Sequence, residues 1–98
     1  MAYEIIVKTR FVNKIHKILS YLEKEWSHKV AEEFLLKIDR RIDLLTKQPE
    51  VGAPSEKIKN VRGLLITRHN RLYYKIKNDK VILLNIYDTR MNPDKNPY

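Results

Sequence analysis

Arg71, Tyr73 and Lys75 stand at alternate positions of one run, Arg71-Leu-Tyr-Tyr-Lys-Ile-Lys77, with His69 just ahead of it. Alternate residues of an extended chain share a face. Arginine forks hold phosphate bidentately, and tyrosine rings stack on bases. If the chain turns back tightly after Lys77, Arg71 lies opposite Ile86. The residues after Tyr87 then run past the start of the same strand and bring Arg90 near His69 and Arg71. His69, Arg71 and Arg90, flanked by Tyr73 and Tyr87, are thus a candidate anion site. A histidine or tyrosine there could also move a proton on a ribose hydroxyl. The competing reading is a solvated strand face whose alternating charges discourage edge pairing. On that reading several of the six tyrosines lie at core margins with wet hydroxyls.

Other chemistries find no residues to carry them. Two glycines cannot build a phosphate-cradling glycine-rich loop. There is no cysteine, so disulfides and thiolate metal sites are excluded. His16, His28 and His69 lack metal-ligand spacing, and no metal or other cofactor is expected. Ser20, Ser27 and Ser55 lack any nearby His/Asp arrangement, so a hydrolase triad is not supported. Asp88 and Asp94 suit the capping of local turns.

The charge is lopsided. The net is +8. Residues 1–50 carry ten Lys/Arg against eight Asp/Glu, and residues 51–98 carry ten against four. Such a field attracts polyanions or acidic protein surfaces and speeds their encounter. It does not say which.

The elements that must position these groups are legible in the pattern. Ninety-eight residues make room for one domain, 1–98. Residues 1–8 read as a strand, with its β-rich run at Tyr3–Lys8. Residues 10–47 read as a helical hairpin. Phe11, Ile15, Ile18, Leu22 and Trp26 recur at helical spacing, and Trp26 is expected in the core. Ser27 is the expected N-cap of the second helix. Val30, Phe34, Ile38, Ile42 and Leu45 form its stripe, broadened by Leu35. Pro49 and Gly52 end it, in a polar loop over 47–60. A three-stranded meander follows over 61–87. Its strands are Val61–Arg68, Arg71–Lys77 and Lys80–Tyr87, with an Asn78-Asp79 turn. Leu72, Tyr74 and Ile76 share one face of the middle strand; Ile82, Leu84 and Ile86 share one face of the last. The tail, 88–98, is expected to be extended or loose. The fold class is α+β: an antiparallel helical hairpin on an antiparallel sheet, in the order β-α-α-β-β-β. No stretch approaches the roughly 20 apolar residues of a membrane span, and the apolar run near the N-terminus, which carries Glu4, is too short for a signal-peptide core. A cytoplasmic protein with no membrane contact is expected.

The segment Arg71-Leu-Tyr-Tyr-Lys-Ile-Lys-Asn-Asp-Lys-Val-Ile-Leu-Leu-Asn-Ile-Tyr-Asp-Thr-Arg-Met-Asn-Pro93 resembles the C-terminal half of the RelE/ParE superfamily of type II toxin–antitoxin toxins. Tyr21-Leu-Glu-Lys-Glu-Trp26, Ala31-Glu-Glu-Phe34 and Ile42-Asp-Leu-Leu-Thr-Lys-Gln-Pro49 resemble its first half. The Asp88–Pro93 tail resembles that of plasmid-stabilisation-type members. The resemblance implies a growth-inhibiting toxin neutralised by a cognate antitoxin encoded beside it. RelE-like members cut messenger RNA on the ribosome without a metal, whereas ParE-like members inhibit DNA gyrase. Arg71 matches the family's middle-strand arginine, and Arg90 falls close to its tail arginine. On the ribonuclease reading Arg71, Arg90 and His69 are the catalytic set. Arg62, Arg68, Tyr73, Lys75 and Tyr87 would contact nucleic acid or a partner. The catalytic tail tyrosine or histidine of nuclease members has no match, because Met91, Asn92 and Pro93 occupy that stretch and Tyr98 is read as unanchored. The long helical hairpin, Thr9 to Thr46, is closer to the ParE type. The sequence therefore leans towards gyrase inhibition. A ribosome-dependent endoribonuclease is the alternative, and a basic interaction domain unrelated to toxicity is the third reading. An antitoxin would lay an extended or helical segment over the apolar groove or the basic sheet face.

Overall fold

The computed structural model describes residues 2–98. The elements are β1 (Glu4–Val7), α1 (Thr9–Glu25), α2 (His28–Lys47), β2 (Ala53–Pro54), β3 (Val61–Thr67), β4 (Asn70–Lys77) and β5 (Lys80–Asp88). Short 3-10 turns cover Pro49–Val51 and Pro93–Lys95. One sheet of order β1-β5-β4-β3-β2 carries the helical hairpin on one face. β1 runs parallel to β5 and every other pair is antiparallel. The α+β class and the element order agree with the expectation from sequence. The parallel seam and the two-residue β2 inside the supposed polar loop were not legible.

The helices form where the apolar period demands. Ser27 caps α2, its Oγ accepting a hydrogen bond from the Val30 N–H at 3.1 Å. That satisfies one of the helix's orphan donors. Phe11, Phe34, Ile38 and Leu45 point into the core and meet Ile66, Leu72, Tyr74, Val81, Leu83 and Ile86 from the sheet. Two expectations about the helices fail. Trp26 is 70% exposed, because it sits at the C-cap of α1, where the chain leaves the apolar stripe to make the turn. Leu35 is exposed too, one step round α2 from the buried Phe34.

The β4–β5 hairpin turns at Asn78, whose φ of 56° is the left-handed conformation that asparagine tolerates. Lys77 faces Lys80 and Tyr74 faces Leu83 in regular register, and then the pairing slips so that Tyr73 faces Asn85. Leu84 is the extra residue of a β-bulge. The bulge corrects two expectations. Arg71 lies opposite Tyr87 rather than Ile86. The core face of β5 is Val81, Leu83 and Ile86, so Ile82 and Leu84 belong to the other face. Strict alternation cannot reveal such a change of phase.

The loop after α2 is tied to the core by Tyr74, which is fully buried. Its hydroxyl donates to the Pro49 carbonyl at 2.5 Å and accepts from the Gly52 N–H at 2.9 Å. Gly52 is required by closeness, since a Cβ there would stand 2.9 Å from the Gly63 carbonyl oxygen. No helix among the described residues is long and apolar enough to cross a membrane.

Candidate functional site

Of the residues singled out from sequence, His69 and Arg90 line one depression, Arg71 and Tyr73 line another on the opposite face of the sheet, Tyr87 borders both, and Arg62, Arg68 and Lys75 line neither. On the helix side, α1, α2 and the open ends of β4 and β5 enclose a groove of about 700 Å³. Its floor is apolar, with Ile18, Leu22, Phe34 and Ile86. Lys14, Lys17, Lys37 and Arg90 ring it together with Glu33 and Asp88, and Tyr21 and Trp26 stand at its mouth, 59% and 70% exposed. His69 also lines this groove. On the other face, Arg71, Tyr73 and Tyr87 line a cleft of about 480 Å³ with Gly63, Lys57 and Tyr98. Arg71 is on this side because its neighbour Leu72 points into the core, and alternate strand residues face opposite ways. The expected cluster of His69, Arg71 and Arg90 therefore does not form. Arg71 lines the outer cleft, His69 and Arg90 line the groove, and Tyr87 and Asp88 border both.

Arg90 is held by Asp88. Its Nε and Nη2 donate to the two carboxylate oxygens at 3.0 and 2.7 Å, and its backbone N–H donates to Oδ1 at 2.8 Å. These hydrogen bonds hold the Asp88 carboxyl well below its ordinary value, at about 2. Arg68 is exposed, and its Nε lies 3.3 Å from His69 Nε2. Arg62 donates to the carbonyls of Glu50 and Gly52, so it braces the loop after α2 and does not line the cleft. Lys75, opposite Val61 and Ile82, lies outside the cleft as well.

The outer face is not the solvated face of the competing reading. Tyr73 is buried, because the tail folds over it. Tyr98 stacks on Tyr73 with ring centres 5.0 Å apart and planes 19° apart, while Tyr87 meets Tyr73 edge-on at 6.2 Å. The Asn96 side chain donates to the Tyr73 hydroxyl at 2.9 Å. Lys57 Nζ donates to the carbonyls of Pro93 and Asn96, and Ser55 Oγ donates to the Tyr98 carbonyl. The expectation of a loose tail with an unanchored Tyr98 is thus overturned. Burial among these rings pushes the Tyr98 hydroxyl pKa up. Beneath them, Arg71 Nε is buried and has no hydrogen-bond partner. Gly63 permits this packing, since a Cβ there would stand 2.8 Å from Arg71 Cδ.

Sequence reasoning missed Ser55, Lys57, Asn96 and Tyr98 because contacts between a loop and a tail have no period to betray them. It missed the groove's aromatic mouth by assigning Trp26 to the core. The tryptophan's place at the very end of a stripe, next to a helix N-cap, was the available signal. Among the described residues no three His, Asp or Glu side chains converge to hold a metal.

Residues 5–93 match the family described as ParE toxin of type II toxin-antitoxin system, parDE. No curated protein gives a match. Among solved structures, the chromosomal ParDE TA system from P. aeruginosa superposes with a TM-score of 0.76 at 17% identity, over 89% of this chain and 96% of that one. The toxin-antitoxin complex RelBE2 from Mycobacterium tuberculosis superposes at 0.63 with 16% identity, over 90% and 99%. A conserved hypothetical protein from Helicobacter pylori superposes at 0.58 with 25% identity, over 90% and 96%.

Proposed function

The chain belongs to the ParE toxin family of type II toxin–antitoxin systems, and on that premise we propose that it arrests growth by binding DNA gyrase and is neutralised by an acidic cognate antitoxin. The observation that carries a binding toxin over a nuclease is the separation of Arg71 from His69 and Arg90 on opposite sheet faces. Metal-free cleavage of RNA needs cations and proton-transfer groups around one phosphate. The groups beside Arg71 are poorly suited to that work. Tyr98 holds its proton more tightly than a free phenol. Asp88, at about 2, is a weak base. Glu56 is exposed at the cleft's rim.

The groove is the proposed antitoxin seat. Its apolar floor suits anchors at helical spacing, and its lysines and Arg90 suit a flanking acidic sequence. Family membership leaves little support for a basic interaction domain unrelated to toxicity.

The ribosome-dependent endoribonuclease is retained as a second reading on one observation: Arg71 shares its cleft with three tyrosines able to stack on bases. Purified protein tested on gyrase supercoiling and on translating ribosomes decides between them. Loss of supercoiling with intact messages is expected. Cleaved messages with unaffected supercoiling overturn the gyrase reading.

A further inference from the structure

After β5 the chain crosses the outer sheet face from Asp88 to Ser55 and Lys57. This segment makes no strand pairing. Apart from Asn96 and Tyr98, residues 92–98 are exposed, and the contacts that hold them are few: a lysine, a serine, one asparagine and a ring stack. Such a segment lies at the low end of local stability. Under it sits an arginine with a buried, unpartnered Nε. A buried donor without an acceptor is a standing cost, and for a charged group a large one. The strap therefore covers Arg71 without satisfying it. What it does supply is a flat ring, laid on Tyr73 and touching Tyr87.

We propose that the Arg71 cleft is a binding site for a planar ring carrying a phosphate, the chemistry of a nucleotide, and that residues 92–98 are a displaceable strap whose Tyr98 ring occupies the ring's place. The phosphate gives Arg71 the acceptor it lacks, and the base replaces Tyr98 on Tyr73. The strap is then a built-in competitor that lowers the apparent affinity by the fraction of time it is closed. This inference goes beyond the proposed function and holds for either target.

The test is calorimetric titration of adenosine monophosphate into the full chain and into Tyr98→Ala. At least a tenfold tighter affinity in Tyr98→Ala is expected. Inorganic phosphate, which must also displace the strap to reach Arg71 but has no ring to stack on Tyr73, is expected to bind each protein more weakly than the nucleotide does. Adding Arg71→Gln to Tyr98→Ala removes the gain. Asn96→Ala loosens the strap while leaving every ring in place, so it repeats the gain if Tyr98→Ala proves poorly folded. Equal or weaker nucleotide binding in both strap variants overturns the proposal, as does a gain that survives Arg71→Gln. A single-stranded tetranucleotide titrated in parallel identifies the source. Tighter binding of the tetranucleotide supports a nucleic-acid end; tighter binding of the mononucleotide supports a free nucleotide.

Discussion

Tyr74 shows how much one side chain decides. Its ring fills the core, and its hydroxyl closes the loop after α2 through Pro49 and Gly52. Tyr74→Phe leaves a carbonyl and an N–H buried without their partner, so it is expected to lower the unfolding free energy by about 1–3 kcal/mol, read from urea denaturation. Burial also raises the Tyr74 pKa. The folded state thus favours the neutral phenol. The associated stability is complete below about pH 10, the ordinary phenol value. It is lost as pH rises through the folded value. Asp88 has the opposite sign. Its carboxyl is held at about 2 by Arg90, so its contribution is present above the usual carboxylate range and is lost as pH falls towards 2. A carbon-detected titration should find Asp88 still ionised at a pH where a free aspartate is largely protonated. A midpoint near the ordinary aspartate value would refute the Arg90 clamp.

Elements obey periodicity until a local device interrupts it. Ser27 is such a device, and one that composition made visible. Ser27→Ala is expected to destabilise the protein by about 1 kcal/mol in thermal or urea unfolding, with Ser27→Gly costing less. The Leu84 bulge is the opposite case. Leu83 and Leu84 do not mark where β5 changes phase, because a leucine is acceptable on either face. Part of the outer face is covered by the tail, and the tail has no period. The helical hairpin was readable because α1 and α2 each expose a polar face to water, which makes their stripes sharp.

For the whole molecule, the net charge of +8 is functional only where geometry concentrates it. Lys14, Lys17, Lys37 and Arg90 ring an apolar groove whose mouth carries Trp26. Trp26→Ala removes an exposed ring and leaves the core intact, so its stability should match that of the parent. Its affinity for the cognate antitoxin should fall at least tenfold, about 1.4 kcal/mol, in a titration with the purified antitoxin. The association rate with the antitoxin should also fall steeply as salt rises from about 0.05 to 0.5 M, because screening shortens the range over which the groove's cations attract an acidic partner. An unchanged rate would mean that the ring of cations does not steer the partner.

Sequence by itself determined the α+β class, the element order, the helix stripes, the cap at Ser27 and the excess of cations in the C-terminal half. Each of these is written in neighbours along the chain or in bulk composition. Only the tertiary structure decided where the candidate site residues stand relative to one another. Arg71 and Arg90, expected together, lie on opposite sheet faces. Tyr98, expected to be loose, is stacked on Tyr73. In both cases the deciding contacts are non-local. A side chain's face depends on strand phase, which one bulge resets. A tail's resting place depends on long-range contacts with Ser55, Lys57 and Tyr73, and no local pattern encodes them.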